Sequence, residues 1–95
     1  MPRHYKCRTD SNQAAIAASL RSFGCLVFPL HTVGHGMADL LVKLPTNQLV
    51  LVEVKTEKGK LTDDQERLIS QGWPVVILRS PDEAQALVSL SSGSV

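Results

Sequence analysis

Residues 48–55 read Gln-Leu-Val-Leu-Val-Glu-Val-Lys, a stretch that is apolar on both faces of an extended chain until two charges close it. Side chains alternate across a strand, so Val50, Val52 and Val54 line one face while Leu49, Leu51, Glu53 and Lys55 line the other. A strand apolar on both sides is a central strand covered on both sides, which calls for a layered α/β arrangement. Pro45, Thr46 and Asn47 separate this stretch from a second β segment at residues 37–44, Met-Ala-Asp-Leu-Leu-Val-Lys-Leu. A three-residue connection makes the two segments antiparallel neighbours. Positions whose numbers sum to about 92 then face each other, which sets Asp39 opposite or next to Glu53.

The remaining segments supply the other layers. Residues 1–9 are basic and are expected to be flexible; Asp10 or Ser11 offers an N-cap, and Ile16, Ala17, Leu20 and Phe23 follow at helical spacing until Gly24 stops the pattern. Residues 25–30 form a short apolar strand that Pro29 ends, and residues 31–36 a loop punctuated by glycine. A second helix is expected over 62–71, with Thr62 as N-cap, Asp63 and Asp64 in its first turn and Gln65 at the third position. Residues 74–79 form a buried strand, with Trp73 at its start expected in the core. Ser80 and Pro81 open a third helix through residue 90, and residues 91–95 read as a flexible tail. The order α-β-β-β-α-β-α describes an α/β fold of one domain, residues 1–95, with a mixed central sheet flanked by helices and a right-handed crossover before the last strand.

At 10.3 kDa, the chain is expected to expose about 5,300 Å² when folded, which leaves roughly two-thirds of its surface buried in one modest core. Apolar residues make up 43% and charged residues 20%, an ordinary globular composition. The apolar run at residues 49–52, like every other in the chain, is far too short to span a bilayer, and the polar start lacks the apolar block of a signal peptide. The expected address is therefore the cytoplasm, with no membrane and no organic cofactor. Cys7 and Cys25 are too few and too irregularly spaced for a disulfide scaffold or a zinc cluster, and are expected to be thiols. A net charge of +1 excludes nucleic-acid binding by bulk charge alone. Two basic groups, Arg3, Lys6, Arg8 and Arg21, and then Lys55, Lys58 and Lys60, are nonetheless placed to touch phosphates or to form solvated faces.

The anomaly is charge within an apolar hairpin. Burying Asp39 and Glu53 is costly unless they are paired or hold a metal, and two like charges in one apolar site oppose each other's ionisation. A divalent cation between them satisfies both, and an all-oxygen donor set with retained waters suits Mg²⁺ or Mn²⁺. Glu53 and Lys55 point to the same side, and the Val54 carbonyl is available as a further ligand. Two carboxylates, an ammonium and a hard cation meet the requirements of phosphodiester hydrolysis.

The run Gly36-Met37-Ala38-Asp39-Leu40-Leu41-Val42, then Leu51-Val52-Glu53-Val54-Lys55-Thr56, then Gly59-Lys60-Leu61-Thr62 with Gln65, resembles the virus-type replication-repair nuclease (VRR-NUC) branch of the PD-(D/E)XK superfamily. The resemblance spans about residues 10–88 and implies a restriction-endonuclease-like core. It also implies a Mg²⁺- or Mn²⁺-dependent endodeoxyribonuclease in which Asp39 and Glu53 hold the metal, the Val54 carbonyl assists, Lys55 is the catalytic lysine and Gln65 faces the site. Gln65 also suits a capping box with Thr62. Ala38 stands where the superfamily's name has proline. Gln13 falls where many members carry a metal-holding glutamate, and otherwise suits capping with Asp10. His31 and His35 are expected to be loop residues without a catalytic part.

Stand-alone members of this branch are phage or bacterial proteins similar to Holliday-junction resolvases that work as homodimers. The resemblance therefore implies a structure-selective DNA repair enzyme acting on branched DNA in a bacterial or phage-infected cell. The alternatives are a nuclease acting on flaps or linear duplex, and a catalytically inactive DNA-binding module of the same fold.

Overall fold

The computed structural model describes the backbone of residues 3–30 and 37–92 and the side chains of residues 12–30 and 37–91. Its elements are α1 (Arg3–Ser22), β1 (Leu26–Pro29), β2 (Leu40–Lys43), β3 (Leu49–Val54), α2 (Asp63–Ser70), β4 (Val75–Leu78) and α3 (Pro81–Ser92). The four strands form one sheet in the order β1-β2-β3-β4, antiparallel except for the parallel β3–β4 pair. This is the expected mixed α/β arrangement.

The hairpin register follows from its connection. Leu40 pairs with Val52, Leu41 with Leu51 and Val42 with Val50, the pairing that the three-residue loop predicts. Asn47 takes a left-handed conformation in that loop, φ 74°, which asparagine tolerates well, and the Asn47 N–H donates to the Leu44 carbonyl at 2.8 Å. Both α1 and α2 end on a glycine. Gly24 has φ 94° and Gly72 has φ 95°; the following N–H groups, of Cys25 and Trp73, reach back to the carbonyls of Leu20 and Leu68. These are Schellman closures, and they turn the chain from helix into strand without leaving the last carbonyls unpaired.

Ile16 and Leu20 of α1 pack with Leu40, Val42, Leu44, Val50, Val52 and Val54 of the hairpin and with Ala84 and Val88 of α3. Helices α1 and α3 lie against each other on this face, α1 touching β1 and β3, and α3 touching β4. Val50 to Val54 are buried without interruption, as a central strand requires. Cys25 is a buried free thiol, and burial pushes its pKa up, so it is a small core residue rather than a nucleophile.

Four expectations are corrected. Helix α1 begins at Arg3, not at Asp10 or Ser11. No glycine or proline breaks residues 3–22, so nothing forces the chain out of helical dihedrals at Asp10, and the capping role for Gln13 lapses with it. Phe23 lies beyond the helix end and is exposed. Helix α3 continues to Ser92, into the segment read as tail, while residues 93–95 are outside the described residues. Trp73, expected in the core, is 50% exposed and donates its indole N–H to Gln71 at 3.1 Å.

The second face of the sheet explains Trp73. Helix α2 has no buried residue and touches the strands only lightly, so it leaves much of this face open. Leu26 and Phe28 are each 64% exposed and Leu49 54%, beside half-buried Leu41. Two shallow apolar depressions of about 250 and 230 Å³ run across this face, one along Leu26, Phe28 and Leu41, the other between Leu49 and Trp73. Among the described residues, no helix is long and apolar enough to cross a membrane.

Candidate active site

The site lies at the C-terminal end of β3, where the strand leaves the sheet between two neighbours. Continuing the β2–β3 register by one pair puts Asp39 across from Glu53. The Asp39 N–H donates to the Val52 carbonyl at 3.1 Å, and Asp39 Oδ2 accepts the Val54 N–H at 2.8 Å. The carboxylate thus occupies the place of the next ladder bond. In an extended chain, the N–H and C=O of one residue point to the same edge, so the Val54 carbonyl faces the Asp39 side as well.

Glu53 is the only charged residue among the buried ones described, at 5% exposure. Its Oε2 accepts the Gln65 side-chain amide at 2.5 Å and lies 3.8 Å from Lys55 Nζ. Its Oε1 is buried without a hydrogen-bond partner among the described residues. Burial above all, and then the nearby Asp39 carboxylate, lifts the Glu53 carboxyl from 4.5 to about 7, while Lys55 pulls the other way. Two acceptor-only carboxylates in contact, one with an orphaned buried oxygen, make a site that a proton or a cation completes.

Gln65 serves two purposes with one side chain. Its Oε1 accepts the Thr62 N–H at 2.8 Å while its backbone N–H donates to Thr62 Oγ1 at 3.3 Å, a complete capping box. The box fixes the side chain so that its Nε2 is left to hold Glu53. The capping reading and the site reading coexist at this residue.

The structure brings Asp39, Glu53, Val54, Lys55 and Gln65 together. Gln13 is half-buried on α1 and, among the described residues, has no hydrogen bond to any of them. Its neighbour Asn12 does reach the site, its amide donating to the Lys55 carbonyl at 3.1 Å. Asn12 was missed because capping and metal-ligand patterns single out a carboxylate or its isostere, whereas an amide tying a helix to a strand 43 residues away leaves no local signal. His31 and His35 are outside the described residues, as are the side chains of Arg3, Lys6 and Arg8. Among the described residues, no three His, Cys, Asp or Glu side chains cluster as metal ligands. Among the described residues, those that could hold a cation are the two carboxylates and the Val54 carbonyl, a sparse oxygen set of the kind that hard divalent ions take with retained waters.

Known proteins are similar to this chain in sequence and in fold. The profile of the VRR-NUC domain matches residues 5–80. A candidate nuclease, p44, of Acyrthosiphon pisum secondary endosymbiont phage 1 is 29% identical over 89 residues, spanning 88% of this chain and 96% of the relative. A solved VRR_NUC domain superposes with a TM-score of 0.67 at 29% identity, covering 85% of this chain and 94% of that one. With the profile running from α1 through β4 and the same fold recurring in a solved member, this chain belongs to the VRR-NUC family of nuclease domains.

Proposed function

We propose that the protein is a divalent-cation-dependent DNA endonuclease that cuts branched DNA, four-way junctions in particular, as a homodimer. The observation that carries the hydrolytic reading is the pairing of buried Glu53 with half-buried Asp39, one Glu53 oxygen having no partner among the described residues and the other lying 3.8 Å from Lys55 Nζ. Asp39, Glu53 and the Val54 carbonyl are the groups that would hold Mg²⁺ or Mn²⁺. Such an ion, when bound, neutralises phosphate charge and lowers the pKa of a water. Lys55 is close enough to orient an attacking water or to balance charge developing on the phosphate. Gln65 keeps Glu53 in its rotamer, and the Asp39 bond to the Val54 N–H keeps the strand end straight.

The open sheet face supports self-association. The patch through Leu26, Phe28, Leu41 and Leu49 carries one described charge, Lys43, which donates to Asn47 at 2.8 Å. A second copy meeting it about a two-fold axis covers apolar surface and presents two sites to a symmetric junction.

The test is cleavage of a labelled four-way junction, a flap and a matched linear duplex in Mg²⁺, in Mn²⁺ and in EDTA. Metal-dependent paired nicks on the junction, abolished in Lys55→Ala and Glu53→Ala, are expected. Equal cutting of the linear duplex removes junction selectivity. Tight junction binding by all three proteins with no cleavage in either metal overturns the enzyme reading in favour of a binding module.

A further inference from the structure

Lys55 is held along its backbone and its stem, and its amine pairs with Glu53 at 3.8 Å. Its N–H donates to the Leu78 carbonyl at 3.1 Å, and its carbonyl accepts Asn12. Its methylene stem runs beside Gly59: a Cβ built there would sit 3.4 Å from Lys55 Cδ and 3.2 Å from Thr56 Oγ1. The turn that brings Gly59 to the lysine is closed by the Gly59 N–H on the Thr56 carbonyl at 3.1 Å. A short exposed turn with one internal bond is weakly ordered by itself.

Arg79, at the end of β4, supplies the missing order. Its Nη1 lies 2.7 Å from the Thr56 carbonyl, 2.7 Å from the Gly59 carbonyl and 3.4 Å from that of Glu57. One guanidinium nitrogen thus gathers the carbonyls of the turn from the inside. Arg79 is itself fixed, since its backbone N–H donates to Glu83 Oε1 at 2.6 Å and its strand pairs with β3. A planar cation with several donors in fixed geometry suits this task better than a flexible ammonium.

We infer that Arg79 is a positioning residue for Lys55: by collecting the carbonyls of Thr56, Glu57 and Gly59 it holds Gly59 against the lysine stem and aims Nζ at the Glu53 carboxylate. The catalytic consequence rests on the function proposed above; the positioning does not. Arg79 touches neither carboxylate and is not a catalytic residue.

The experiment pairs kinetics with a readout that needs no activity. In the metal-free full chain, ¹³C relaxation at Lys55 Cε reports the order of the side chain in wild type, Arg79→Met, Arg79→Lys and Gly59→Ala. Order is expected to fall in Arg79→Met, to be largely kept in Arg79→Lys, and to change in Gly59→Ala, where the new methyl crowds the stem. In cleavage assays, Arg79→Met is expected to lower kcat about tenfold or more, since small misplacements of a reacting group are costly, with KM for DNA within twofold of wild type. Unchanged Cε order in a folded Arg79→Met protein overturns the inference. Complete inactivity of wild type refutes the nuclease reading alone, because the Cε measurement still decides the role of Arg79.

Discussion

Replacing Glu53 by glutamine should stabilise the metal-free protein while abolishing its activity. Glutamine keeps an acceptor for Gln65 and the volume of the side chain, and removes only the buried charge. The carboxyl is lifted from 4.5 to about 7, principally by burial and by Asp39. A one-unit shift corresponds to about 1.4 kcal/mol, so with some solvent screening at the strand end the ionised carboxylate costs the folded chain on the order of 2–3 kcal/mol. The sign follows from the direction. The folded chain holds this proton more tightly than the unfolded chain, so the cost is absent below about pH 4.5, grows through the interval to 7 and is complete above it. Thermal unfolding in EDTA should therefore show Glu53→Gln melting about 10 °C above wild type at pH 8, given roughly 4–8 °C per kcal/mol for a domain of this size. The two should converge by pH 4.5. Mg²⁺ should raise the wild-type midpoint at pH 8 and leave the variant's unmoved. Equal midpoints at pH 8, or a variant that melts lower, would refute the argument that an unsatisfied charge is stored at this site.

The same carboxyl should make the proposed cation binding proton-linked. Below about pH 7, Mg²⁺ must displace a proton from the Asp39–Glu53 pair, so its affinity should fall by up to tenfold per pH unit, with proton release seen as buffer-dependent heats in calorimetry; a pH-independent affinity between 5.5 and 7 would contradict this. Thr62→Ala should lose about 1 kcal/mol in urea unfolding through the broken capping box, and should also lower kcat by loosening Gln65 from Glu53. Phe28→Glu, on the open sheet face, should shift sedimentation at micromolar concentration from dimer to monomer while the fold melts within a few degrees of wild type. A monomeric wild type would remove the dimer from the proposal.

Much of the site is visible in the chain because its logic is local. Glu53 and Lys55 are two apart on one strand, and Asp39 is brought to them by a three-residue turn whose length dictates the register. Thr62 and Gln65 are a helix-cap pair recognisable at three-residue spacing. The contacts that hold Lys55 were hidden for the opposite reason. Asn12 reaches it across 43 residues and Arg79 reaches its turn across 20 to 23, each binding backbone carbonyls that carry no residue identity.

Alternation, turn length and capping chemistry therefore determined from sequence the element order, the hairpin register and the convergence of two carboxylates and a lysine. These depend on periods of two and 3.6 residues and on short-range hydrogen bonds, which the order of side chains encodes directly. Tertiary structure decided the rest. It decided that α1 and α3 cover one face while α2 leaves the other open, which turned Trp73 outward despite its apolar neighbours. It also decided that Asn12 bonds the strand end, and that Arg79 gathers the turn beneath the lysine. The reason is geometric: where a helix docks depends on the packing of a whole layer, and no window of sequence contains both sides of that contact.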